Sequence, residues 1–179
     1  LGSLIGLIIL SPFLLIIALI IKVTSKGTVF FLQDRLGKGG KIFKIIKFRT
    51  MVMGAEKKGD GLFVYGTNDN RITAIGKILR KTSLDEIPQL WNILMGEMSF
   101  AGPRPVTQPE LERYGDKVNY ILQVQPGLSG MWQISGRSDT GYEERINLDM
   151  YYIQNWSIWL DFWIMQKTVW VVLKGRGAY

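Results

Sequence analysis

The chain contains no cysteine and no histidine. Without cysteine there is no disulfide framework, thiol nucleophile or thiolate-held metal, and without histidine the usual neutral-pH proton shuttle and commonest zinc ligand are missing. Chemistry must therefore run on carboxylates, hydroxyls, amines and guanidiniums. A bound divalent ion should be a hard, oxygen-liking one such as magnesium. Internal repeats and low-complexity tails are absent, and at 179 residues one domain is the default.

Charge is missing altogether from the first 21 residues, LGSLIGLIILSPFLLIIALII. As a straight helix this run would be about 31 Å long, enough to cross the hydrocarbon core of a bilayer. Ser11 and Pro12 stand near its middle, where a proline removes a helix hydrogen bond and can kink the helix sharply. Two topologies stay open: a transmembrane span that separates its ends, and a re-entrant hairpin of two arms of about 15 Å each that returns both ends to one face. The run has neither the basic n-region nor the small-residue cleavage site of a signal peptide. The expected division is a membrane segment over 1–21 and a membrane-associated domain over 22–179. The start at Leu1, without methionine, leaves room for an upstream segment.

The net charge of +7 is concentrated in one block. Residues 22–49 carry eight bases (Lys22, Lys26, Arg35, Lys38, Lys41, Lys44, Lys47 and Arg49) against Asp34 alone, and the other 14 bases and 14 acids cancel. Such a block suits an anionic surface, and the adjoining apolar run favours a membrane over nucleic acid. Its sequence, TVFFLQDRLGKGGKIFKIIKFRTM, predicts a β-hairpin turning at Gly37 to Gly40 with its bases on one face. No GxxxxGK[ST] pattern accompanies the glycines, so a turn is the reading and not a phosphate loop.

Further along, VMGAEKKGDGLFVYGTN (52–68) reads as a surface loop or lid. DNRITAIGKILR predicts a short helix capped from Asn68 to Asn70, and a second helix is expected from about Ser83 to Met95. A proline-broken loop follows at AGPRPVTQPE, then a helix at LERYGDKVNYILQV, then a glycine-rich loop with a short strand at QPGLSGMWQISGRSD. Residues 142–174 are helical in pattern and rich in tryptophan and tyrosine. They predict an interfacial helix or helix pair, with an aromatic core helix as the alternative. The fold class is α+β, mainly helical.

Within TSLDEIPQLWN two acids stand side by side, Asp85 and Glu86. One reading is structural: Ser83 and Glu86 have the spacing of a capping box, and acids in a first turn suit the helix dipole. The other is chemical. A carboxylate at a helix start among cations such as Arg80 and Lys81 is favoured in its ionised form, as a nucleophile or magnesium ligand requires. Adjacent residues on a helix point about 100° apart, so one can attack while the other moves a proton. A carboxylate nucleophile suits phosphoryl transfer through an acyl-phosphate, whose charge needs magnesium and bases. Lys47, Arg49, Arg104 and Arg137 are loop candidates for that work.

Together, KFRTM (47–51), TSLDEIPQLWN (82–92), GEMSFAGPRP (96–105) and PGLSGMWQISGR (126–137), behind a hydrophobic segment with a central Ser-Pro, resemble the bacterial sugar transferases, the monotopic phosphoglycosyl transferases. The C-terminal NWSIWLDFWIMQKTVWVVLKGRGAY resembles the branch that primes exopolysaccharide and O-antigen synthesis. The resemblance implies transfer of a hexose 1-phosphate from a UDP-sugar, galactose or glucose, to undecaprenyl phosphate, releasing UMP by a ping-pong scheme. Asp85 would be the nucleophile and a magnesium ligand, and Glu86 its assistant. Arg137 would bind the nucleotide phosphate, with Lys47, Arg49, Arg80 and Arg104 lining the phosphate pocket. Ser11 and Pro12 would break a re-entrant helix, placing the site at the cytoplasmic face of the bacterial inner membrane, and a homodimer is compatible with longer members. The rivals are a non-catalytic membrane-anchored protein that binds anionic lipid or polymer, and a nucleic-acid binder, which leaves the membrane segment and the acid pair unexplained.

Overall fold

A computed structural model of the chain describes residues 1–55, 69–136 and 141–174. The apolar run is helical from end to end, α1 (Gly2–Thr24), with Ser11 and Pro12 inside it. Pro12 has no amide to offer the carbonyl four residues back, that of Ile8, and the Ser11 hydroxyl donates to this same oxygen at 2.8 Å. In lipid, where no water can serve an orphaned carbonyl, a neighbouring serine is one of the few available remedies.

One stripe of α1 rests on the rest of the protein along its whole length. Ser3, Ile17 and Ile21 are buried, a Cβ at Gly2 would sit 3.6 Å from the Phe100 ring, and one at Gly6 would sit 3.3 Å from Leu90. The opposite face, including Leu4, Ile5, Ile8, Ile9, Phe13, Leu15, Ile16 and Leu19, is exposed and almost entirely apolar, with Ser11 the polar exception in its middle. α1 is long and apolar enough to cross a membrane, and a face of this kind associates with one.

The predicted hairpin forms from β1 (Phe30–Leu36) and β2 (Ile42–Phe48), paired antiparallel from Phe30↔Phe48 to Leu36↔Ile42. Gly39 and Gly40 take positive φ in the connection, a conformation open to residues without a Cβ. The bases do not share a face: with a period of two, Lys44 and Lys47 point to opposite sides. Lys44 pairs with Asp34 in solvent, while Lys47 lies on the side of buried Phe43 and Ile45.

Two clusters clamp the hairpin. Phe48 packs with Ile17 and Ile21 of α1 and with Leu79 of α2 (Ala74–Lys81), whereas Phe43 and Ile45 pack on Met98 and Ile93. Each such aliphatic side chain, fully buried, stabilises by about 1.5–3 kcal/mol. The cap of α2 is not Asn68 to Asn70 as expected but Thr73, whose extended backbone lets its hydroxyl accept from the Gly76 amide at 3.0 Å. Asp69 instead holds the Arg71 guanidinium. Gly76 has a second reason to be glycine, since a Cβ there would collide with the Thr50 carbonyl oxygen.

The segment predicted as one helix over 83–95 is a 3₁₀ helix (Leu84–Gln89) running into a short α3 (Leu90–Leu94). Pro88 offers no amide for an α-helical bond to Leu84 and disfavours helical geometry at Ile87, so α geometry starts only beyond it. Strand β3 (Ser99–Ala101) then pairs in parallel with β4 (Gly127–Ser129), the short strand anticipated in the glycine-rich loop. Between them, α4 (Gln108–Leu111) carries the capping box expected at Ser83: the Thr107 hydroxyl accepts from the Glu110 amide while Glu110 accepts from the Thr107 amide. The helix expected over 111–124 is broken at Gly115 (φ 50°, ψ −128°) into a 3₁₀ turn and α5 (Val118–Ile121). After α6 (Met131–Ile134), the described residues close with a pair of helices, α7 (Tyr142–Gln154) and α8 (Ile158–Lys174). On α8 and its approach Trp156, Trp159, Phe162, Trp163 and Trp170 are exposed, and Ile164 alone is buried in the helix, which favours the interface reading over the core one. Most of the loop read over 52–68 lies outside the described residues.

Candidate active site

The acid pair is not a helix cap. Ser83 sits in left-handed backbone (φ 54°, ψ 18°) and makes no side-chain capping bond, whereas a capping box needs an extended residue there. The Glu86 carboxylate turns instead to the hairpin, accepting from the Lys47 ammonium at 2.6 Å, with the Arg104 guanidinium 3.9 Å away. The hairpin, the 3₁₀ helix and the GPRP loop therefore meet at Glu86.

Asp85 next to it is 9% exposed. Burial, reinforced by the charge of Glu86, pushes its carboxyl from 3.8 up to about 6, although Lys47 and Arg80 pull it back. At neutral pH it is mainly ionised, dry and faced by two cations, a suitable state for a nucleophile. Arg80 comes from the last turn of α2 and its Nε donates to the Thr50 hydroxyl at 2.8 Å. Its own pKa is lowered by burial, partly offset by Asp85.

Thus Lys47, Arg80, Arg104, Asp85 and Glu86 gather as expected, while Arg49 does not join them. Its guanidinium donates to the Lys26 and Ser25 carbonyls at 2.6 and 2.9 Å, binding the exit of α1 to the end of β2. It is a structural tie, placed by the way the chain leaves α1. Arg137 lies outside the described residues. Sequence reading missed Thr50, although it stands inside KFRTM, because a threonine carries no signal of the arginine it will hold.

A second polar cluster also went unread. Arg35 donates to Glu110 at 2.9 Å and to the Pro105 carbonyl at 3.0 Å, and Arg145 lies 3.4 Å from the same carboxylate and 3.9 Å from Asp149. Burial and the neighbouring Arg104 charge lower Arg35 to about 10. Burial would raise Glu110, but the Thr107 amide, Arg35 and Arg145 outweigh it and hold its carboxyl below the usual range. Arg104 and Arg145 both lie over the Trp132 ring, at 5.4 and 5.3 Å from its centroid. This framework fixes the GPRP loop from which Arg104 reaches Glu86.

The family model for the bacterial sugar transferases matches residues 1–175. The chain belongs to the bacterial sugar transferase family. It is 45% identical over 191 residues to the undecaprenyl-phosphate galactose phosphotransferase of Salmonella typhimurium, covering 99% of this chain and 40% of that protein. To the UDP-glucose:undecaprenyl-phosphate glucose-1-phosphate transferase of Klebsiella pneumoniae it is 45% identical over 182 residues, covering 97% and 38%. The exopolysaccharide production protein ExoY of Rhizobium meliloti is 41% identical over 192 residues, with 100% of this chain and 85% of the relative covered. The chain thus spans about 40% of the length of the first two relatives and most of the third.

Proposed function

We propose that this bacterial sugar transferase moves a hexose 1-phosphate from a UDP-sugar to undecaprenyl phosphate through a covalent intermediate on Asp85. An Asp85 carboxylate oxygen attacks the β-phosphorus, the bridging bond to the α-phosphate breaks, and UMP leaves with the electron pair. The phosphosugar stays on the carboxylate as a mixed anhydride. A phosphate oxygen of the lipid then attacks the same phosphorus and expels Asp85, giving the diphosphate-linked lipid sugar. Glu86 takes the proton of a protonated lipid phosphate, and Lys47, Arg80 and Arg104 offset the charge on the phosphorus oxygens. The observation that carries this reading is the pair itself: a capping box is abandoned so that one acid lies buried among cations and the other reaches two of them.

Magnesium fits the donor set. Among the described residues no group of three or more ligating side chains gathers, and magnesium is usually held by one or two carboxylates, substrate phosphates and water instead of an all-protein cage. Asp85 would hold it beside the donor diphosphate, where it would neutralise the charge of the departing phosphate. The donor sugars named for the two shorter-covered relatives, galactose and glucose, are the favoured hexoses.

The lipid acceptor stays in the bilayer and the nucleotide sugar stays out of it, so the site belongs where both reach. Contact of both ends of α1 with the same body supports a re-entrant, monotopic helix over a span, and by likeness to the family the site lies at the cytoplasmic face of the inner membrane. The test is intact-protein mass spectrometry of the detergent-solubilised protein mixed with UDP-galactose or UDP-glucose and magnesium, without lipid. A gain of one hexose phosphate, absent in Asp85→Asn, is the expected result. No adduct with either sugar, from a folded protein that still turns over with lipid present, would refute the covalent scheme.

A further inference from the structure

Asn92 is fully buried and lies seven residues beyond Asp85, on α3. A buried asparagine usually answers to its immediate loop, but this one reaches across to the hairpin. Its Nδ2 donates to the Lys44 carbonyl at 2.8 Å and its Oδ1 accepts from the Ile46 amide at 3.1 Å. These are the donor and acceptor that a neighbouring strand would offer to the edge of β2, which belongs to a two-stranded sheet. The second Nδ2 proton goes to the Glu97 carboxylate at 2.7 Å, and the Asn92 carbonyl accepts from the Glu97 and Met98 amides at 2.9 and 3.3 Å. Both donors of the amide are in use and its orientation is set by three partners.

The residue after Ile46 is Lys47, which reaches Glu86, and the element that runs into Asn92 is the 3₁₀ helix that carries Asp85 and Glu86. The edge of β2 and the acid pair are thus pinned to each other at one point. Apolar packing of Phe43 and Ile45 on Ile93 and Met98 holds the two elements together, but it is non-directional and tolerates a slide of a few tenths of an ångström. Two hydrogen bonds to successive outward groups of a strand do not. We infer that Asn92 is a positioning residue, which sets the register between β2 and the 3₁₀ helix so that Lys47 meets Glu86 beside the nucleophile. The inference rests on the proposed role of Asp85 and adds to it a reason why the cations stand where they do. Misplacement of a reacting group by about 1 Å costs on the order of a hundredfold in rate, and a partial slide should cost less.

The test separates a rate from an amount. Single-turnover formation of the phosphosugar adduct is followed by mass spectrometry with saturating UDP-sugar, for the wild type, Asn92→Ala and Glu97→Gln. The amplitude reports how much protein is folded and the rate constant reports the geometry of the site. Asn92→Ala should lose at least tenfold in rate constant while its amplitude and its half-saturating donor concentration stay within twofold of wild type. Glu97→Gln keeps an oxygen to accept from Asn92 and should keep the wild-type rate. If Asn92→Ala accumulates too poorly to measure, Glu97→Ala, which removes only the buttress of the amide, should show a smaller loss of rate at full amplitude. A variant with reduced amplitude and an unchanged rate constant makes Asn92 a purely structural residue and overturns the inference. A wild type that forms no adduct at all refutes the nucleophile instead, and the steady-state kcat against KM with lipid acceptor then decides the role of Asn92 by the same criterion.

Discussion

Replacing Asp85 with asparagine should abolish the reaction and make the protein more stable. The carboxyl is pushed from 3.8 to about 6 by burial and by Glu86, net of what Lys47 and Arg80 return. Because the folded state holds its proton more tightly than the unfolded chain, the sign is fixed. Below about pH 4 both states are protonated and Asp85 costs nothing. Between about pH 4 and 6 the unfolded chain ionises first and the fold loses stability, and above about 6 the full penalty stands. Roughly two units at 1.36 kcal/mol each make the penalty about 2–3 kcal/mol at pH 7. Asparagine keeps the shape without the charge and removes that penalty. For a chain of this size the melting temperature should rise by about 5–10 °C at pH 7, and the gain should shrink toward zero near pH 4. Differential scanning of the two proteins in the same detergent, at pH 4 and pH 7, measures both. A variant that melts at or below wild type at pH 7, or a gain that does not depend on pH, would refute the electrostatic reasoning whatever happens to activity.

The same carboxyl should set the acid limb of the kcat/KM profile near pH 6, activity being lost as Asp85 takes up its proton; a limb at pH 4 would mean a carboxylate in an ordinary environment attacks. Arg49→Met should destabilise the protein by about 2–4 kcal/mol, since two buried charge-assisted bonds to the Ser25 and Lys26 carbonyls are lost. The adduct rate of its folded fraction should remain within about threefold of wild type, and a hundredfold slower adduct at full amplitude would return Arg49 to the phosphate pocket. Chelation of divalent ions should stop UMP release, with recovery on adding magnesium; release that continues in excess chelator removes the metal from the scheme.

Local pattern was enough for much of this protein. A 21-residue uncharged run can only bury itself or meet lipid, the glycines at 37–40 between two β-rich runs demand a hairpin, and the tryptophans of 156–170 suit a helix with an exposed apolar side. The four motifs were likewise readable, and with them the family. These features depend on contacts within a few residues or on composition, which sequence states directly.

What the tertiary structure decided was which of two locally equal choices prevailed. Ser83 and Glu86 have the spacing of a capping box, as do Thr107 and Glu110, and only the second forms one. Lys47 from a distant strand claims Glu86, and Pro88 keeps the segment in 3₁₀ geometry. Lys47 and Arg49, two residues apart and alike in charge, part company because one faces the acid pair and the other faces the exit of α1. In each case the competing bonds are similar in strength, about 1 kcal/mol net when neutral and a little more when charged. The outcome therefore turns on which partner the fold brings within 3 Å, and that distance is written nowhere along the chain.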